Sequence, residues 1–282
     1  MSATDGIAPA LAGAGEPAQP SASPLLALEG IRLAFRAVRA IEDVRFGVRR
    51  HEICSVIGPN GAGKSSVLNV ISGVYRPDAG SITFDGLCQP FMVPRAAAQR
   101  GIARTFQNIA VFKGMSVLEN VLTGTNLRAG SSWIEQLLSL GRARSVERRE
   151  RALAERVLEF LSLQPYRNAP VGRLAYGIQK RVELGRALAA QPKLLLLDEP
   201  MAGMNAEEKR SMSRSILDIN RELGTTIVLI EHDMRVVMDL SDHVVVLDYG
   251  RVVGDGTPAE VRQNPEVQRA YLGRRRRAPE AA

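Results

Sequence analysis

The sequence predicts an α/β fold, with a mostly parallel core sheet, an antiparallel β subdomain and an inserted helical subdomain. Three observations predict it. ICSVIG (53–58), KLLLLDE (193–199) and TTIVLIEH (225–232) are short, almost continuously apolar runs, the pattern of strands buried on both faces. Helical stretches separate them, and such alternation calls for a parallel sheet covered on both sides. From Ser116 to about Leu188 the pattern is mostly helical, with no β-rich run to interrupt it.

Residues 1–24 are rich in Ala, Gly, Pro and Ser and are predicted to be a disordered tail. LALEGIRLAF is the first strand, and the short AIEDVRFGV pairs with it through a turn near Arg39. ICSVIG is a buried strand, followed by the glycine-rich GPNGAGKSS and a helix over SSVLNVISG (65–73) that ends at Gly73. SITFDG (81–86) is an outer strand with a tight turn, 94–101 a short helix, and ARTFQN (103–108) a strand leaving the core. The insert holds SVLENVL, SWIEQLLSL and VERRERALAERVLEFLSL as helices. NAEEKRSMSRSILDINREL (205–223) is a helix opened by an Asn cap and early acids, as the helix dipole prefers. HVVVLDYGRVVGDG gives two strands turning at Tyr249–Gly250, and PAEVRQNPEVQRAYLG two small helices.

The bulk composition excludes several classes. The chain has 282 residues, and its 45% hydrophobic content is ordinary for a globular protein. Two cysteines are too few for a disulfide scaffold or a thiolate metal cluster, and Cys54, inside an apolar run, reads as a buried structural thiol. No stretch approaches the roughly 18 uncharged apolar residues that span a bilayer, and no secretory signal is visible, so the chain is expected in the cytosolic compartment. Net charge is +7, part of it in Arg274–Arg277. That run is read as a basic disordered tail over 274–282. An arginine run can also touch anionic lipid or nucleic acid, but no base-reading motif accompanies it, and no nucleic-acid partner is expected.

The chemistry starts at GPNGAGKS (58–65), a phosphate-loop pattern with a predicted strand before it and a predicted helix after it. Its glycines allow a tight loop whose inward N–H groups, with the helix N-terminus, cradle phosphates. Lys64 can reach the terminal phosphates as a mobile point charge, and Ser65 can ligate Mg2+. LLLLDE supplies the other half. A side chain at the end of such a strand faces the crevice above the sheet, so Asp198 is expected in the Mg2+ shell. Glu199 is read as the residue that polarises water or acts as general base. His232, ending the next apolar strand, is placed to touch a γ-phosphate from the side. Gln107 can report Mg2+ or water occupancy to the insert. Phe35 can stack on adenine or pack in the core, and no guanine-reading NKxD sequence is present. His51 is read as a surface residue.

LAYGIQ (174–179) raises a separate question. It stands at a helix N-terminus, a ready anion site, yet the insert is long enough to hold it away from Lys64. A second molecule packed head-to-tail can receive it, so that each copy completes its neighbour's site.

Taken together these motifs resemble the ATP-binding subunit of an ABC transporter. GPNGAGKS resembles Walker A, LLLLDE Walker B and LAYGIQ the family signature. Gln107 matches the Q-loop glutamine, His232 the switch histidine, Phe35 the adenine-stacking aromatic, and MAGMN (201–205) the D-loop. The resemblance spans roughly 26–273 and implies one ABC ATPase domain over 25–273, with its helical subdomain at about 109–188. It implies ATP and Mg2+ as ligands. ATP would meet Phe35, the loop Gly58, Pro59, Asn60, Gly61, Ala62, Gly63, Lys64, Ser65 and Ser66, and the signature residues Ala175, Tyr176, Gly177 and Gln179. Mg2+ would meet Ser65, Gln107 and Asp198, and catalysis would fall to Glu199, His232 and Gln107.

GIARTFQNIAVFKGMSVLENVL (101–122), the AGMN loop and the ending GTPAEVRQNPEVQRAYLG resemble the branched-chain amino acid importers, specifically the longer, first ATPase of their pair. This implies a second ATPase subunit as partner, in a heterodimer or a homodimer, together with membrane permeases and a periplasmic solute-binding protein. The location implied is the cytoplasmic face of the inner membrane, with 108–125 as the coupling surface. Importers of urea, amides or other small organic solutes share the branch, and an ABC exporter remains a further alternative. The signature departs from the general LSGGQ: Ala175 replaces serine and Tyr176 the first glycine. Ala175 offers no hydroxyl to a neighbour's γ-phosphate, which leaves the Gly177 N–H and the helix dipole. Asn205 replaces the usual D-loop aspartate.

Overall fold

Strands β1 (Leu26–Phe35) and β2 (Val38–Val48) form an antiparallel hairpin in which Phe35 pairs with Val38 and Ala34 with Arg39. The expected turn near Arg39 therefore lies earlier. Arg39 is inside the ladder, and the chain reverses where Arg36 takes a left-handed φ of 54°. Short hairpin turns need such positive φ, and an arginine there carries no sequence signal for it. The second strand is also longer than expected, at 11 residues.

The computed structural model describes residues 23–36, 38–107, 109–125 and 140–272. The remaining strands are β3 (Ile53–Ile57), β4 (Ala79–Phe84), β5 (Leu87–Gln89), β6 (Ile102–Arg104), β7 (Leu194–Asp198), β8 (Thr226–Ile230), β9 (His243–Asp248) and β10 (Arg251–Gly256). The helices are α1 (Lys64–Ile71), α2 (Pro94–Gln99), α3 (Val117–Thr125), α4 (Leu140–Phe160), α5 (Tyr176–Ala189), α6 (Ala206–Leu223), α7 (Met234–Leu240), α8 (Pro258–Gln263) and α9 (Pro265–Leu272). The predicted tails before 23 and after 272, and most of the SWIEQLLSL segment, lie outside the described residues.

The described chain divides into two units, one of residues 95–195 and 200–225, the other of the residues before 95, 196–199 and those from 226 onward. The second unit holds both sheets' main strands. Its antiparallel sheet runs β2-β1-β4-β5, with Leu26 opposite Phe84, and Asp85–Gly86 (φ 51° and 80°) turn β4 into β5. In the core sheet β3 lies parallel to both β8 and β9, Ser55 opposite Leu229 on one side and Val244 on the other. β9 turns into antiparallel β10 through Tyr249 and Gly250, with φ of 43° and 76°. The core order is β10-β9-β3-β8-β7-β6. Strand β7 is common to the two units: Leu194 at its start donates to Gly101 beside β6 in the first unit, and Leu196–Asp198 continue in the second. Every residue of β3, β7 and β8 is buried, so continuous apolar runs were the right sign of two-faced burial. The stretch MRVVMDL is α7, capped by the Asp233 carboxylate on the Arg235 N–H.

The first unit is the helical one. α3 packs against α4 and α5. The Asn205 side chain caps α6 by accepting from the N–H groups of Glu207 and Glu208, and Glu208 reaches back to the Asn205 N–H. This is the reciprocal box the early acids suggested. The expected strand over 103–108 shortens to Ile102–Arg104. Beyond Thr105 the backbone meets side chains instead of a neighbouring strand: Phe106 N–H donates to Glu183, and the Phe106 and Gln107 carbonyls accept from Lys180.

Candidate functional site

The phosphate-loop residues, Asp198, Glu199, His232 and Phe35 all fall within one unit. β3 runs into the loop, and α1 begins at Lys64. The loop shape depends on its glycines. Gly58 has φ 149°, and a Cβ there would stand 2.1 Å from the Leu247 carbonyl oxygen. Gly63, at φ 102°, would place a Cβ 2.5 Å from the Ala40 oxygen. The β9–β10 turn ties the loop down: Gly250 N–H donates to Ala62 O at 2.9 Å, and Glu42 N–H to Gly250 O at 2.7 Å. The Lys64 side chain is buried and its ammonium donates to the carbonyls of Gly58 (2.8 Å) and Pro59 (3.0 Å). It is thus held folded over the loop that would carry the phosphates. Asn60, Gly61 and Ser65 are exposed, Pro59, Gly63 and Ser66 half-buried, and Ala62 buried, its N–H on Pro59 O.

Asp198 ends β7 and is buried. The next residue, Glu199, adopts a left-handed φ of 49°, and its N–H donates to Ile230 O at 3.0 Å. A non-glycine residue in this region is strained by about 1–3 kcal/mol, and such strain gathers at functional sites. The kink turns the carboxylate onto His232, whose Nε2 lies 2.6 Å from Glu199 Oε1. His232 stands two residues past β8, with its side chain 43% exposed against 16% for Glu199. The sequence placed His232 toward a phosphate, and the fold brings it first to Glu199. Buried Glu231, which the sequence reading passed over, accepts the His232 N–H at 3.2 Å. Phe35 is 43% exposed, and its ring meets the edge of Tyr75, ring centroids 5.0 Å apart at 72°. It is therefore not a core residue.

The donors present fit a magnesium ion. Ser65 and Asp198 offer a hydroxyl and a carboxylate, hard oxygen ligands of the kind Mg2+ takes alongside nucleotide phosphates. Among the described residues no group of three or more His, Cys, Asp and Glu is placed to hold a metal ion.

In the other unit, Gln107 follows β6 in an irregular, exposed segment. The signature residues open α5. Ala175 is the N-cap without a capping side chain, and the first helical bonds run from the Ile178 and Gln179 N–H groups to Ala175 O. Those of Tyr176 and Gly177 precede them. Ala175 and Tyr176 are exposed, whereas Gly177 is buried under the Glu208 carboxylate, 2.5 Å from where a Cβ would stand. The Gln179 side chain turns back onto Leu174 O at 2.8 Å, so it shapes the motif from within. The Tyr176 ring lies against Gly203 of the AGMN loop. Sequence reading also missed Asn120, whose buried side chain accepts from the Phe112 N–H and donates to the Phe112 and Ser116 carbonyls. Helical spacing marks such a residue as facing inward but does not name its partners.

Comparison with known proteins identifies the family. A family model described as ABC transporter matches residues 41–202, and one described as branched-chain amino acid ATP-binding cassette transporter matches 251–276. The high-affinity branched-chain amino acid transport ATP-binding protein BraF of Pseudomonas aeruginosa is 38% identical over 89% of this chain and 98% of its own length. LivG of Escherichia coli, with the same description, is 37% identical over the same shares. The ADP conformation of MJ1267, an ATP-binding cassette of an ABC transporter, superposes with a TM-score of 0.76 at 31% identity, covering 89% of this chain and 99% of that one. The chain belongs to the ABC transporter ATPases, in the branch of branched-chain amino acid ATP-binding cassettes.

Proposed function

We propose that the chain is the ATP-hydrolysing subunit of an importer for branched-chain or related amino acids. It would be the longer of two cassettes, held at the cytoplasmic face of the inner membrane by permeases that a periplasmic binding protein supplies. The observation that carries the catalytic reading is the Glu199–His232 pair in the same unit as the Lys64 loop and Asp198. The match over 251–276 supports the solute class.

In this reading adenine stacks on Phe35, and the phosphates lie on the N–H groups of 58–66 with the Lys64 ammonium at the β/γ end. Ser65, Asp198 and Gln107 would hold Mg2+, which would supply charge neutralisation on the phosphates. Glu199 orients a water in line with the γ-phosphate. His232 keeps the Glu199 carboxylate aimed and reaches the γ-phosphate from the side. The Ala175–Gly177 turn, with Gln179 shaping it, covers the ATP of a second cassette. Because Ala175 lacks a hydroxyl, the neighbour's phosphate loses one donor, worth about 1.5–3 kcal/mol for a charge-assisted bond; N–H groups and the dipole of α5 replace it. Closure then pulls the surface at 108–125 and shifts the permease between two states.

Uptake by the assembled transporter tests this. Leucine, isoleucine or valine should accumulate with the wild-type chain and cease with Lys64→Ala. Uptake of urea or short amides instead would redirect the solute, and Lys64-dependent efflux would overturn import.

A further inference from the structure

We infer that Lys180 and Glu183 are positioning residues that hold the Gln107 segment onto the signature helix, so that the two move as one element. The inference deepens the catalytic reading above and rests on it for the role of Gln107. Both residues lie on α5, four and seven positions after its first residue Tyr176. Their side chains are 2% and 1% exposed and pair at 3.7 Å. Two charges removed from water persist only with good hydrogen-bonding partners, and these partners come from one irregular stretch. Lys180 Nζ donates to the carbonyls of Gln107 at 3.0 Å and Phe106 at 3.4 Å. Glu183 Oε1 accepts from the N–H of Phe106 at 3.3 Å and of Ala110 at 3.2 Å.

These backbone groups lie beyond β6, which ends at Arg104. The Gln107 backbone is therefore tied, through Lys180 and Glu183, to the helix whose first turn carries Ala175, Tyr176 and Gly177. A displacement of Gln107 by its own site must be felt at the turn offered to the partner cassette, and the reverse. A pair serving only to stabilise the helix would need no contact with that stretch.

The test uses the full chain in its assembled transporter. Replacing both charges together, Lys180→Met with Glu183→Leu, removes the pair without stranding one charge in the interior. We expect ATP affinity within twofold of wild type and kcat lowered at least tenfold. Gln107→Ala placed on the double variant should lower kcat by less than a further twofold, because the residues act as one unit. Lys180→Arg, which keeps the donors, should retain at least half of kcat. Wild-type kcat in the double variant, a parallel loss of ATP affinity, or a full multiplicative loss on adding Gln107→Ala overturns the inference. Hydrogen exchange separates its failure from that of the catalytic reading. The Phe106 and Ala110 amides should exchange at least tenfold faster in the double variant while the α5 amides stay protected, whatever Glu199 does in hydrolysis. Unchanged exchange at those two amides overturns the clamp itself.

Discussion

His232 Nε2 stands 2.6 Å from Glu199 Oε1, two side chains from the ends of adjacent core strands joined by one short hydrogen bond. The left-handed backbone of Glu199 makes this possible, by turning its carboxylate out of the line of β7. A carboxylate held this way can fix a water without the freedom it would have on an exposed loop. Glu199→Gln should therefore bind ATP with near wild-type affinity while kcat falls at least tenfold, and ATP-bound dimers should accumulate. His232→Ala should lower kcat without weakening ATP binding. Steady-state hydrolysis beside equilibrium nucleotide binding checks both, and normal turnover by the Glu199→Gln chain would remove the water-orienting role.

The phosphate loop predicts a contrast between two glycines. Gly58→Ala would drive a Cβ to 2.1 Å from the Leu247 carbonyl, whereas at Gly61, φ 80°, nothing lies within 4 Å. The first should destabilise the chain by about 2–3 kcal/mol, as overpacking against backbone does, a loss of about 5–10 °C in Tm for a domain of this size. The second carries only the left-handed penalty of about 1–2 kcal/mol. Thermal melts of the two variants decide this, and equal losses would show that backbone conformation alone governs the loop.

A third relationship concerns pH. His243 starts β9 with its Nε2 2.5 Å from Asp255 and its Nδ1 3.4 Å from Glu52. The Asp255 hydrogen bond, then those to Cys54 and Glu52, push its pKa up from the ordinary imidazole value to about 12. Burial pushes the Cys54 thiol up, in keeping with an inert core cysteine. Because the folded pKa is raised, the stabilisation from charged His243 is complete below the unfolded value of about 6.5. It is lost progressively as pH rises from there toward the folded value. The Tm deficit of His243→Gln should thus be largest near pH 6 and shrink steadily toward pH 10. A deficit that grows over that range would contradict a charged His243.

Much of this was legible in the sequence, for identifiable reasons. ICSVI, LLLLD and TIVLI announced their burial through unbroken apolar character, and Asn205 announced a helix start through a local capping pattern. The glycine–lysine spacing of 58–65 fixed the phosphate loop because its chemistry is local. What escaped depends on distant partners or unusual backbone. Arg36 at positive φ hid the β1–β2 turn, and seven residues of α7 were too few to show a period. Lys180 and Glu183 looked like ordinary helix charges, since their partners lie more than seventy residues upstream. The Glu52–His243 contact joins residues 191 apart, which no local pattern discloses.

In the function proposed above, the turn at Ala175–Gly177 closes the ATP held by a partner cassette. The most direct measurement is a structure of the transporter carrying Glu199→Gln, trapped with ATP. The first-turn N–H groups of α5 should lie within about 3 Å of the partner site's γ-phosphate, with two nucleotides at the joint. Two bound nucleotides with that turn facing solvent, distant from both γ-phosphates, would contradict it.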